Sequence, residues 1–167
     1  MPVAAASLTV ARVMRKLRRA LAGVGARRTS DATIRSRAEA LLAQAADMPV
    51  ALLVANNSGR YIDVNDKATR LTGYSRAELL RMSVWDLTPT PAAEEGRRMW
   101  RVFLEKGRMT GKYRLCRKEK RPIVADFRAW ANILPGVHVS ALATPALIAS
   151  ARGRGARRSP RPRRRRD

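Results

Sequence analysis

Apolar residues in the first part of the chain recur every three or four positions, which is the spacing of one helix face. The pattern occurs in residues 7–24, where basic side chains fill the opposite side, and again in residues 31–46. The sequence therefore predicts a basic amphipathic helix within residues 1–30 and a flanking helix over 31–46. The apolar stripe of the flanking helix consists of Ile34, Ala38, Leu41, Leu42 and Ala45.

The hydrophobic spacing then shortens, and the next two segments are typical of strands. Residues 50–54 form a short apolar run, residues 60–64 alternate, and a turn-forming cluster of Asn, Ser and Gly separates them. This order predicts a β-hairpin. In its second strand we expect Ile62 to point inward if Tyr61 and Asp63 face water.

Helical signals follow the hairpin at once. Asn65 is suited to cap a helix that Gly73 ends. Ser75 and Glu78 have the spacing of a capping box, which opens a second helix that reaches about residue 82. A third helix is predicted to start after Pro91 and to run to Lys106, with acidic residues in its first turns and a glycine after its end.

Three strands complete the pattern. Alternating apolar positions predict strands over 109–117, 122–133 and 137–142. Together with the earlier elements they predict one α+β domain over 47–144, a five-stranded antiparallel sheet with helices on one face, preceded by amphipathic helices. The remaining residues, 145–167, are rich in Gly, Ser, Pro and Arg and are predicted to be a disordered arginine-rich tail.

The charge of the chain lies mostly outside the predicted domain. The 167 residues carry a net charge of +22, yet residues 47–144 hold 17 basic and 10 acidic side chains. No apolar run approaches the ~20 residues that a membrane-spanning helix needs. The chain has one cysteine and so no disulfide framework, which favours a reducing, cytoplasmic setting. The acid-free, basic N-terminus is also similar to an organellar presequence, and that alternative stays open.

Several local strings, in this order and spacing, resemble the PAS domain family. They lie at residues 55–61, 64–68, 71–75, 84–87 and 117–120, and the second and third together are similar to the family's asparagine- and glycine-containing signature. The resemblance covers about 95 residues. It implies a five-stranded antiparallel sheet whose helices enclose a small pocket. It also implies a domain that senses ligands, binds cofactors or dimerises.

The resemblance also bears on cofactors. Light-sensing members form a flavin adduct on a helical cysteine, but the corresponding residues 75–82 contain none, and Cys116 lies on a predicted strand. Haem-binding members use a histidine on the long helix, and residues 91–107 contain none. His138 is expected to be an ordinary histidine on the polar face of the last strand. The sequence thus predicts neither a covalent flavin adduct nor a histidine-ligated haem.

No group of residues has the spacing of a catalytic or metal site. Asp126 and Arg128 lie two residues apart on one face of a strand, where a solvated or inter-element ion pair is the simplest interpretation. The sequence also contains no glycine-rich phosphate loop. We therefore expect no bound metal and no enzymatic activity.

A ligand would contact the inward-facing apolar residues. Those residues could equally be plain packed core, although three alanines on the long fourth strand leave room for a cavity. The candidates for the pocket are Leu71, Trp100, Phe103, Tyr113, Phe127, Ala129 and Val139.

Trp130 is expected on the outer face of the sheet, near Cys116 and Leu142. An apolar group there should be covered. The cover could be the flanking helix with Leu41, or a second copy of the chain in a dimer.

These features predict a stand-alone PAS-type sensor in two-component or transcriptional signalling, which acts by ligand binding or dimerisation. One alternative is a protein that binds nucleic acid or another anionic surface nonspecifically through its arginine-rich ends. A second is a truncated relative of a sensor kinase without activity of its own. Pro145 opposes a helix that would continue directly from the last strand, which puts output through a C-terminal effector in doubt.

Overall fold

The computed structural model of the protein describes most of the predicted domain and part of its flanks. The helix predicted within residues 1–30 and the tail beyond residue 149 lie largely or wholly outside the described residues. The described residues are 10–12, 15, 16, 19, 31–45, 48–88, 93–119 and 121–149.

The strands and helices follow the predicted order. The helices are α1 (Asp31–Gln44), α2 (Asp66–Thr72), α3 (Arg76–Leu79) and α4 (Ala93–Lys106), with a 3-10 turn at Val84–Leu87. The strands are β1 (Ala51–Ala55), β2 (Tyr61–Val64), β3 (Arg108–Cys116), β4 (Pro122–Leu134) and β5 (Val137–Ala143). All five strands form one antiparallel sheet in the order β2-β1-β5-β4-β3. The predicted α+β class and five-stranded sheet are confirmed.

Local capping signals fix the helices that follow the hairpin. The side chain of Asn65 caps α2, and Gly73 ends that helix with a φ of 78°. Ser75 and Glu78 form both hydrogen bonds of a capping box at the start of α3. That helix ends at Leu79, and not near residue 82 as predicted.

Two apolar clusters lie on opposite faces of the sheet. The cavity-side core packs α2, α3 and α4 against one face, and its buried members include Leu53, Leu79, Phe103, Leu115 and Leu142. The α1-side core packs α1 against the other face, and its buried members include Leu41, Leu52, Val54, Val139 and Ala141. The central strands β1 and β5 contribute to both cores.

The structure corrects the predicted faces of two residues in β5. Val139, predicted to face the pocket, lies in the α1-side core, and Leu142, predicted beside Trp130, lies in the cavity-side core. The physical reason is that β5 is buried on both faces. Its apolar pattern therefore does not indicate which set of alternate residues faces the cavity and which faces α1. Cys116 is also predicted to lie near Trp130. The register instead places Arg108 opposite Trp130 and Cys116 at the other end of the β3–β4 pair.

The predicted orientation of β2 is wrong. Tyr61 is buried in the cavity-side core, whereas Ile62 packs against the α1-side core. Asp63 is only 3% exposed. Its carboxylate accepts hydrogen bonds from Arg76 Nη2 at 2.8 Å and Nε at 3.1 Å, and this ion pair makes burial of the charge possible.

The first residues after β5 are helical, so the predicted disorder is wrong for residues 145–149. The Thr144 hydroxyl accepts a hydrogen bond from the backbone N–H of Leu147 at 3.2 Å and caps this turn. Pro145 occupies its first position, where proline costs no hydrogen bond. Ile148 is buried in the α1-side core and anchors the segment.

Candidate ligand-binding cavity

A cavity of about 320 Å³ lies between α4, the 3-10 turn and the cavity-side face of the sheet. Five of the seven predicted pocket residues line it, namely Trp100, Phe103, Tyr113, Phe127 and Ala129. Leu71 belongs to the same core but does not line the cavity. Val139 lies on the opposite face of the sheet.

Aromatic rings form two walls of the cavity. Trp100 and Phe103 on α4 have ring centroids 5.1 Å apart, and Tyr113 and Phe127 on neighbouring strands have centroids 5.7 Å apart. Trp100 is fixed further, because its Nε1–H donates to the backbone carbonyl of Asn57 at 2.9 Å. The walls are therefore apolar and held in place by contacts outside the cavity.

Trp85 is a wall residue that the sequence analysis did not identify. It lies on the 3-10 turn, between two glycines from other elements. A Cβ atom on Gly59 would lie 2.6 Å from Trp85 Cζ3, and one on Gly96 would lie 2.5 Å from Trp85 Cβ. The glycine inside α4 was the available signal, because a helix interior tolerates glycine poorly unless another group approaches closely.

Hydroxyl groups supply the polar part of the cavity. The Thr88 and Tyr113 hydroxyls are 2.5 Å apart, while the Tyr61 hydroxyl has no hydrogen-bond partner among the described residues. Burial, then the neighbouring Tyr113 and Asp86, raises the pKa of Tyr61 well above its usual value. Burial also raises the pKa of Tyr113. Both phenols are thus neutral at ordinary pH and can donate a hydrogen bond.

His138 lies on the cavity side of the sheet, which corrects its predicted place on a polar face. It is 2% exposed, and its ring is edge-on to Trp100 at 5.3 Å. Its Nδ1 accepts from the backbone N–H of Asn132 at 3.1 Å, so the proton of the neutral ring resides on Nε2, which donates to Asn57 Oδ1 at 2.9 Å. Burial lowers the pKa of His138 to about 4.

The ring nitrogens of His138 both have hydrogen-bond partners within the chain, so this histidine has a structural role here. In the part of the chain that the structure describes, no three His, Cys, Asp or Glu side chains lie close enough together to hold a metal ion. Asp126 pairs with Lys112 on the neighbouring strand at 3.5 Å, which is an inter-element ion pair as predicted. That the domain holds neither a covalent flavin adduct nor a histidine-ligated haem stays a prediction.

The predicted cover of Trp130 lies within the chain. Trp130 is partly buried and packs against the α1-side core, where Leu41 of α1 is fully buried. Leu142, the third predicted member of this surface, lies on the other face. Trp130 is thus covered in part within the chain and stays partly exposed, and dimerisation stays a prediction.

None of the helices in the described ranges is long and apolar enough to cross a membrane.

The chain was compared with known sequences and solved folds. The sequence model of the PAS domain matches residues 49–139. No curated protein matches the chain by sequence.

Several solved structures have the same fold at low sequence identity. A domain of a sensory box sensor histidine kinase/response regulator from Geobacter sulfurreducens is 15% identical, with a TM-score of 0.54, over 65% of this chain and 94% of that one. The PAS domain of a Colwellia psychrerythraea protein is 20% identical, with a TM-score of 0.53, over 64% of this chain and 95% of that one. The PAS domain of an HTR-like protein from Haloarcula marismortui is 18% identical, with a TM-score of 0.53, over 65% and 91%. The chain therefore belongs to the PAS domain family, a family of sensory and signalling modules.

Proposed function

We propose that this PAS domain binds a small, uncharged and largely apolar molecule and acts as a sensor in intracellular signalling or transcriptional regulation. The observation that carries the proposal is the cavity of about 320 Å³, lined by aromatic rings and by the Tyr61 and Tyr113 side chains. Cavities of this size with a few convergent polar groups are the usual sites for small ligands. The sensor histidine kinase origin of the Geobacter domain supports the signalling role.

The chemistry of the walls favours an uncharged ligand. Apolar surface removed from water contributes about 25 cal/mol per Å², so aromatic walls favour apolar atoms. A buried ligand charge would need a counter-charge. Of the charged residues at the cavity, Glu95 is solvent-exposed, and Lys112 lies on the edge strand β3 with its ammonium group paired to Asp126 on the opposite face of the sheet. The Tyr61 hydroxyl is the group best placed to donate to a carbonyl or hydroxyl oxygen of the ligand.

We also propose that the protein acts by binding and not by catalysis. Apart from the solvent-exposed Glu95 and the ion-paired Lys112, the polar side chains of the cavity carry hydroxyls, and the nearby His138 is already bonded through both ring nitrogens. A general base needs a free acceptor within reach of the substrate proton. The hydroxyl pair of Thr88 and Tyr113 does not provide one, because neutral phenols and alcohols are weak bases.

Native mass spectrometry of the purified full chain, together with its absorption spectrum, tests the proposal. We expect a bound small molecule in the wild type and its loss in Ala129→Leu, because Ala129 lines the cavity and a larger side chain fills it. Ala77→Leu is the matched control, since the same change is made on the exposed surface of α3. Retention of the molecule in Ala129→Leu would show that it binds elsewhere. A cavity that takes up no molecule, even from a library of small apolar compounds followed by thermal shift, would refute the proposal.

A further inference from the structure

The outer surface of β3 and β4 is not covered by α1 in the part of the chain that the structure describes. Cross-strand pairs place alternate residues of the two strands on this surface. We call it the open face; it comprises Arg108, Thr110, Lys112 and Arg114 on β3 and Val124, Asp126, Arg128 and Trp130 on β4. All four β3 residues are exposed, and Val124 is 57% exposed.

The open face is strongly basic although it belongs to the folded domain. It carries four cationic side chains and one carboxylate, and that carboxylate, Asp126, pairs with Lys112. Arg108, Arg114 and Arg128 form no ion pair among the described residues, and the buried Nε of Arg128 has no hydrogen-bond partner. Such a face attracts an anionic partner and repels a second copy of itself.

The geometry of the face favours a regularly charged chain as that partner. Arg108 and Arg114 lie six residues apart on one extended strand, which spans ~20 Å at ~3.3 Å per residue. A nucleic acid carries a phosphate on every nucleotide, and arginine binds phosphate through two parallel hydrogen bonds. The partly exposed Trp130 lies at one end of the face, and an aromatic ring beside cations suits a nucleobase.

We propose that the open face binds single-stranded nucleic acid. The arginines contact the phosphates, and Trp130 contacts a base. The Trp130 ring favours unpaired bases, because the bases of a duplex are already stacked on one another. Contacts to phosphates read no sequence, so binding is salt-dependent and largely sequence-independent. This site lies in the folded domain and adds to the predicted role of the arginine-rich ends.

A pair of double variants of the full chain tests the proposal with a fluorescent 20-nucleotide oligo-thymidylate. In Arg108→Gln/Arg114→Gln both changes lie on the open face. In Arg98→Gln/Arg101→Gln two exposed arginines of α4, on the other side of the sheet, lose the same charge. The arginine-rich tail is identical in both proteins. All four positions are exposed, so both variants are expected to keep the wild-type unfolding temperature.

The expected difference follows from counterion release. Each phosphate contact to a single strand contributes about 0.7 to the magnitude of the slope of log affinity against log salt concentration. Losing two contacts therefore lowers this magnitude by about 1.4, and it lowers the affinity at 0.1 M salt by about 25-fold. The α4 variant should retain the wild-type affinity to within about threefold, as expected for a small change in long-range charge alone. Equal losses in the two variants would overturn the proposal, because they would assign binding to net charge or to the tail.

Competition experiments separate the possible partners. The single strand should displace the label more effectively than a 20-base-pair duplex or a 20-residue poly-glutamate. Stronger competition by the duplex would overturn the single-strand assignment. Equal competition by poly-glutamate would make the face a site for acidic protein segments instead.

Discussion

Two glycines with the same backbone conformation provide a test of how tightly Trp85 is held. Gly59 has a φ of 74° and Gly107 a φ of 71°, a region that alanine adopts only at a cost. The surroundings differ. A Cβ on Gly59 would lie 2.6 Å and 2.9 Å from two ring atoms of Trp85, while a Cβ on Gly107 would meet nothing within 4 Å.

Gly59→Ala should therefore destabilise the protein more than Gly107→Ala. The left-handed conformation costs either variant roughly 1–2 kcal/mol. Only Gly59→Ala also overlaps the ring, and insertion of a methyl group into a packed site costs typically about 1–3 kcal/mol. The ring cannot retreat freely, because Trp85 Cβ already lies against Gly96 of α4. The difference between the two variants should thus be about 1–3 kcal/mol.

Urea denaturation followed by far-UV circular dichroism measures both free energies of unfolding. A double-mutant cycle with Trp85→Leu assigns the difference, because the extra cost of Gly59→Ala should disappear once the ring is gone. If Gly59→Ala and Gly107→Ala cost the same free energy, the ring does not occupy the slot between Gly59 and Gly96.

Three further predictions concern stability. Asp63→Asn should lower the free energy of unfolding by roughly 1.5–3 kcal/mol, because it removes charge-assisted hydrogen bonds from Arg76 to a buried acceptor. The control is Asp66→Asn, which removes an exposed ion pair of 4.0 Å and should change the free energy little. Equal effects of the two substitutions would contradict this account. Because burial lowers the pKa of His138 from 6.5 to about 4, the unfolded chain takes up this proton first as the pH falls. The corresponding stability is therefore complete above about pH 6.5 and is lost between pH 6.5 and 4; urea midpoints at pH 7 and 5 should differ less in His138→Gln, and an unchanged difference would exclude His138 as the source. Deletion of residues 151–167 should leave the thermal unfolding transition intact, and a large drop in its midpoint would show that the tail contributes to the fold.

The order of elements could be predicted because its signals are local. A helix cap depends only on the residue itself and its near neighbours. The sequence therefore predicts the cap at Asn65, the Ser75–Glu78 capping box and the helix ends at Gly73 and Gly107. Much of the cavity could also be predicted, because β4 alternates from Ile123 to Ala131 and places Phe127 and Ala129 on the cavity side.

The remaining errors arose where burial depends on partners distant in sequence. The sequence alone suggests that Asp63 faces solvent, but the fold places Arg76 beside it and so allows its burial. Tyr61 lies on the same face of β2 and therefore lines the cavity. His138 looks like a polar-face residue until Asn57 and the backbone N–H of Asn132 satisfy its ring. Tertiary pairing, and not local propensity, decided these positions.

The two-sided burial of β5 limits how this strand can move. Val139 and Ala141 point to one core, whereas Ser140 and Leu142 line the cavity on the other side. A slip of one residue along β1 or β4 would turn every side chain of β5 over and drive the small hydroxyl of Ser140 beneath α1. Burial on both faces therefore opposes any slide of β5 along its neighbours. If a bound molecule displaces the backbone of β5, the side chains of Val139 and Ala141 therefore move within the core beneath α1.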